Sequence, residues 1–232
     1  MYYGYSYDAT YLLVLIGLFL TLGAQFLVNS RYSKYKNIQN TKCVTGYDVA
    51  RKILDNNQLN NVDIVKVSGN LSDHYDPTKK VVRLSTDIFE GNSIAAMAVA
   101  AHECGHAIQD KDGYSFLRIR SKLVPTVNLC SKLGYIVIGI GFLFGYYEIA
   151  MIGFLLLCAI LLFQLITLPV EFNASSRAKE QLISLKLSNK TDDNGVRNML
   201  TAAAMTYVAS VASTLLQLLR MFLIISNRRR DD

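Results

Sequence analysis

Histidine is scarce in this chain, tryptophan is absent and proline is nearly so: 232 residues carry three His, no Trp and three Pro. With so little proline and no repeated block, the sequence contains no low-complexity linker and no repeat array. Its four cysteines, Cys43, Cys104, Cys130 and Cys158, are scattered without ligand spacing, and the cytoplasmic or intramembrane setting that the apolar runs and their flanking charges predict speaks against disulfides. The amino-terminal ten residues have no basic side chain, carry Asp8, and lead into an apolar run with no small-residue cleavage site after it. That pattern argues for a retained membrane span over a removed leader. Charge is missing over long stretches. Residues 10–28 contain none, and residues 133–168 are interrupted only around Gly145-Tyr146-Tyr147-Glu148. Roughly 20 such residues cross a bilayer as a helix, so the first run predicts one span and the second a hairpin of two.

Basic residues gather beside these runs. Arg31, Lys34, Lys36 and Lys42 follow the first; Arg118, Arg120, Lys122 and Lys132 precede the second; Arg177, Lys179, Lys186, Lys190 and Arg197 follow it. The amino terminus and the hairpin turn have none, so these flanking segments are expected on the cytoplasmic side. The net charge of +6 is accounted for by this topology, and no nucleic-acid partner is implied. A last apolar block, residues 199–226, contains Gln217 and Arg220; it is a fourth span or a helix packed along the others. If it crosses, Arg228-Arg229-Arg230 lies outside, against the rule.

One pentapeptide carries chemistry: His102-Glu103-Cys104-Gly105-His106. On a helix the two imidazoles lie one turn apart on one face and can reach a single metal ion, while Glu103 beside them can take a proton from a metal-bound water. With three His and five Glu, chance would produce this spacing in about one such sequence in a thousand. The flanks, residues 94–101 and Ala107-Ile108, form an uncharged run that buries all but the face bearing the motif. Cys104 falls on the helix flank and reads as a packing residue.

Between the first span and the motif lies a short region of mixed signals. Thr45-Gly46-Tyr47-Asp48 predicts a helix start, residues 62–67 alternate like a strand, and Val81, Val82, Arg83 and Leu84 predict another strand after an Asp76-Pro77-Thr78-Lys79 turn. Gly91-Asn92-Ser93 is expected to cap the motif helix. Residues 81–85 are either an open sheet edge, which would hold an extended peptide through main-chain hydrogen bonds, or an ordinary core strand.

Two histidines do not complete a catalytic zinc site, which takes three protein ligands and a water. His74, in a loop at residues 73–76, could be a ligand, an oxyanion stabiliser or a solvated side chain. Glu171 is the better candidate. It follows Pro169 at the cytoplasmic mouth of the hairpin, and with Ala174, Ser175 and Ala178 it defines a small-residue face on a new helix that can approach the motif helix closely.

The motif, together with the run from Pro169-Val170-Glu171-Phe172-Asn173 to Ala174-Ser175-Ser176-Arg177-Ala178, resembles the YugP-type neutral zinc metallopeptidase family of bacteria. The loop 73–77 and the late run 202–209 fit the same pattern. More distantly the order of parts resembles HtpX-type membrane gluzincins, in which a membrane hairpin separates the two-histidine helix from a glutamate ligand. In those relatives an Asp four residues after the glutamate orients the first histidine; here that position is Ser175, and Asn173 or Ser175 could take over by a hydrogen bond.

The resemblance implies a mainly α integral membrane protein with a small cytoplasmic α+β zincin-like region. The expected organisation is a span within residues 1–30, the zincin-like region at 31–130 with its motif helix at 93–110, a hairpin at 131–169, a cytoplasmic helix at 170–198, a span or packed helix at 199–226 and a basic tail at 227–232. The expected activity is zinc-dependent peptide hydrolysis at the cytoplasmic face of the bacterial cell membrane. One Zn²⁺ per chain would be held by His102, His106 and Glu171, with Glu103 as general base. Tyr207, Arg177 and His74 are candidate oxyanion donors. Peptides or membrane proteins would be the substrates, with quality control as the process. The competing readings are a non-catalytic membrane protein stapled by a structural zinc site and, with less support, a transporter using Arg220 and Gln217.

Overall fold

A computed structural model describes residues 6–69 and 72–228. In chain order the elements are α1 (Ser6–Lys36), α2 (Gly46–Asn56), β1 (Asp63–Val67), β2 (His74–Asp76), β3 (Val81–Ser85), α3 (Thr86–Phe89), α4 (Ile94–Lys111), α5 (Ser115–Phe144), α6 (Tyr147–Ser184) and α7 (Lys190–Arg228). They fall into two compact units, one of residues 1–25, 119–168 and 206–232, the other of residues 26–118 and 169–205. The basic tail expected at 227–232 lies, from Arg229 on, outside the described residues.

The first unit is built from long apolar helices, and α1, α5, α6 and α7 are each long and apolar enough to cross a membrane. Helices α5 and α6 form a helical hairpin, α5 starting at Ser115 and α6 running on to Ser184, both beyond the expected bounds of 131–169. Gly145 ends α5 at φ +76°, and the Tyr146 amide donates to the Gly141 carbonyl at 2.9 Å, the closure a left-handed glycine allows. Within the hairpin the backbones approach closely: a Cβ on Gly153 would stand 2.7 Å from the Ile138 nitrogen. Such contacts hold helices together where solvent supplies no hydrophobic drive. Arg220 lies over the Tyr11 ring, 4.4 Å from its centroid, so its charge faces protein as expected for an ionisable group in an apolar helix.

The second unit carries the sheet and the motif helix. Thr45 caps α2 with a reciprocal pair of bonds to Asp48, and the Ser93 hydroxyl accepts from the Ala96 amide at the start of α4, both where the sequence placed them. Val49, Ala50, Ile53 and Leu54 of α2, Val82 and Leu84 of β3, the alanine-rich side of α4, and Ala178, Leu182 and Met199 form one buried cluster. Small residues on α4 let its neighbours come near, and only Val99, His102, Asp110 and Lys111 of its length escape full burial.

Two expectations need correction. The sheet has the order β1-β3-β2, with β1 parallel and β2 antiparallel to β3, so Val81, Val82, Arg83 and Leu84 form the central strand and no open edge. The cause is apolarity: with Val82 and Leu84 fully buried, this strand gains most from neighbours on both sides. Second, the helix beginning after Pro169 is no separate element, because α6 runs unbroken through the proline. One lost hydrogen bond costs less than exposing the several backbone groups that a helix end would leave.

Candidate metal centre

His102 and His106 project from one face of α4 with their rings edge to face, centroids 4.8 Å apart. Glu171, two residues past Pro169 on α6, meets both: its Oε2 lies 3.3 Å from Nε2 of His102 and 3.6 Å from Nε2 of His106. Nothing in local structure forces α6 to stand here; a missing side chain does. A Cβ on Gly105 would fall 2.4 Å from the Ala174 carbonyl oxygen, so the two helices touch backbone to backbone between His106 and the turn that carries Glu171.

The donor set fits zinc. Bonds of about 2.0–2.1 Å in a tetrahedron put neighbouring ligand atoms about 3.3–3.5 Å apart. The Glu171–His102 distance matches that edge and the Glu171–His106 distance is slightly longer, while the three ligand atoms lie within 4.8 Å of one another, wider than a closed tetrahedron. Among the described residues these three are the group able to hold a metal ion. Cys104 is turned from them. Its buried thiol contacts the Ala50 carbonyl at 3.6 Å, and burial pushes its pKa up, away from the thiolate a metal needs.

Each imidazole has a partner at Nδ1. Ser175 Oγ stands 3.2 Å from Nδ1 of His102, so the serine does meet the first histidine, where the gluzincin relatives use an aspartate. His106 Nδ1 faces Gln109 Oε1 at 3.0 Å. Gln109 is wholly buried and was missed by the sequence reading; its only signal was its place on the same helix face, one turn beyond His106.

Glu103 is also buried, and burial drives its carboxyl up to about 7. The nearby charge of Glu171 pushes the same way, while His102 and a hydrogen bond from the Tyr75 amide oppose it. That amide donates to Glu103 Oε2 at 3.0 Å. Tyr75 is fixed at its other end too, its hydroxyl donating to Asp110 Oδ2 at 2.7 Å, so strand β2 is tied to α4 at points two turns apart.

The chain as a whole, rather than this group of residues alone, has counterparts among known proteins. The family described as "Putative neutral zinc metallopeptidase" matches residues 10–226. The chain belongs to this family. It is 44% identical over 220 residues, 95% of this chain and 98% of the relative, to "Putative membrane protease YugP" of Bacillus subtilis (strain 168). No solved structure matches it.

The other expected site residues divide. Asn173 reaches the centre through Gln109, accepting from its Nε2 at 2.9 Å. Arg177 bonds to Asn173 at 2.8 Å and to Asp112, so these donors are already engaged. His74 is exposed, its Nδ1 2.8 Å from the Ser72 carbonyl oxygen. Tyr207 belongs to the first unit, on α7.

Proposed function

We propose that the chain is a zinc-dependent peptidase whose metal is held by His102, His106 and Glu171 and whose general base is Glu103. The observation that carries this reading is the Glu171 carboxylate within 3.3 and 3.6 Å of the two imidazole nitrogens, beside a buried Glu103. Zinc, when bound, supplies Lewis acidity, lowering the pKa of a water from 15.7 to about 7 and polarising a carbonyl. The chain's own residues do the rest. Glu103, buried beside the two imidazoles, would accept the proton of the attacking water and deliver it to the leaving amine. A structural site would close all four positions with protein ligands. No fourth ligand joins the three among the described residues.

An extended peptide would lie along β2, the sheet edge whose Tyr75 amide points at Glu103. Basic residues flanking the apolar helices support a bacterial cell-membrane location with the centre on the cytoplasmic side, where membrane-protein quality control is a fitting process. The test uses the full chain purified in detergent. Wild type should bind one zinc and cleave members of a mixed peptide library, and a chelator should stop it. Glu103→Gln should keep the zinc and lose turnover by at least about a hundredfold. Undiminished cleavage by that variant would falsify the assignment of the base.

A further inference from the structure

The orientation of His106 is decided by a chain of groups leading away from the centre, and each link has a fixed polarity. Arg177 has only donors, and its Nε donates to Asn173 Oδ1 at 2.8 Å while a terminal nitrogen pairs with Asp112. The Asn173 oxygen is thereby turned toward its neighbours. Gln109 Nε2 donates to that oxygen at 2.9 Å and to the Val170 carbonyl at 2.7 Å. Two acceptors claim the amide nitrogen, so the amide oxygen must face the other way, where it meets His106 Nδ1 at 3.0 Å. An oxygen there accepts only from an Nδ1 that carries the proton. The lone pair is then left on Nε2, the atom turned toward Glu171.

We propose that Gln109 is a positioning residue: held in one orientation by Val170, Asn173 and Arg177, it sets the tautomer of His106 that keeps Nε2 ready for the metal. His102 has no such device, since the Ser175 hydroxyl 3.2 Å from its Nδ1 can donate or accept. The two imidazoles are thus unequal, one with its Nδ1 proton fixed by an obligate acceptor and one adaptable. The relay ties α4 to α6 through the hydrogen bonds of one wholly buried side chain. This inference rests on the zinc reading above.

The experiment is zinc affinity of the full chain in detergent, by competition with a chromogenic chelator, for wild type, Gln109→Leu, Asn173→Leu and Asn173→Asp. Loss of the partner that orients a metal-bound imidazole typically weakens metal binding by about 10–100-fold. Gln109→Leu and Asn173→Leu should show losses on that scale. Asn173→Asp should stay close to wild type, because a carboxylate still accepts from both Arg177 and Gln109. A purely structural role would leave the exchange of the His106 Nδ1 proton unchanged in every variant that folds. In the zinc-loaded protein the His106 Nδ1 proton should exchange slowly with water and do so faster in Gln109→Leu, a signal assignable with three histidines in the chain.

Wild-type affinity in both leucine variants, or equal losses in Asn173→Leu and Asn173→Asp, overturns the proposal while leaving the zinc centre standing. Failure of wild type to bind zinc defeats the metal reading and the relay with it. If Gln109→Leu does not fold, the Asn173 pair decides alone.

Discussion

Replacing Gly105 by alanine adds one methyl group at the tightest contact of the centre. Its Cβ would lie 2.4 Å from the Ala174 carbonyl oxygen and 3.0 Å from the carbonyl carbon, both backbone atoms of α6 that cannot swing aside. Ordinary contact needs about 1 Å more, so the helices must part by roughly that distance or strain in place. Overpacking of this kind costs about 1–3 kcal/mol. Parting the helices by 1 Å would stretch the 3.6 Å gap between His106 and Glu171 well beyond the about 3.3–3.5 Å edge of a zinc tetrahedron. If most of that strain falls on the liganded state, zinc affinity drops by about 5–150-fold. Helicity should survive, since alanine favours a helix by about 1 kcal/mol over glycine. Gly139→Ala is the control: nothing lies within 4 Å of a Cβ there, and its zinc affinity should match wild type. The assay is chelator competition, with circular dichroism to verify folding. If Gly105→Ala binds zinc as tightly as wild type and unfolds at the same temperature, the close contact of α4 and α6 is not what sets the ligand spacing.

Two more outcomes follow from Glu103 and its partner. The folded state raises the Glu103 carboxyl from 4.5 to about 7, so between those values the folded chain holds a proton that the unfolded chain has lost. Stability of the metal-free protein should therefore fall as pH rises from about 5 to 7 and level off above, read as melting temperature in chelator; a rise across that window would contradict the burial argument. Removing the Tyr75 amide donor by Tyr75→Pro should lower peptidase kcat by about 10–100-fold beyond the effect of Tyr75→Ala, which keeps the amide. Proline is tolerated on an edge strand, so metal content and folding should hold; equal kcat for the two variants would show that the amide does not hold Glu103.

The features that repeat at a fixed interval were legible in the sequence. His102 and His106 sit one helical turn apart, and Ala174, Ser175 and Ala178 all turn inward beside Glu171 as their spacing required. The caps at Thr45 and Ser93 were legible because each uses its own side chain. What escaped lacks period or side-chain signature. Strand β2 is three residues long, too short to alternate, and its decisive group is a backbone amide. Gln109 near a helix end reads as a solvated polar residue until Val170 and Asn173 arrive from 61 and 64 positions away. Pro169 misled for a local reason: the rule that proline ends a helix presumes that water receives the freed carbonyl, and along an apolar helix it does not.

The order of the ligands along the chain has a consequence for biosynthesis. Both imidazoles lie on a helix complete by Lys111, but the carboxylate that joins them is residue 171, after the whole apolar hairpin. At ribosomal speeds of about 5–20 residues per second, the pair of histidines waits several seconds for its third companion. Under the zinc-peptidase reading the site is incomplete until residue 171 has been made and packed against α4, so a chain still in synthesis before that point would hold no finished centre.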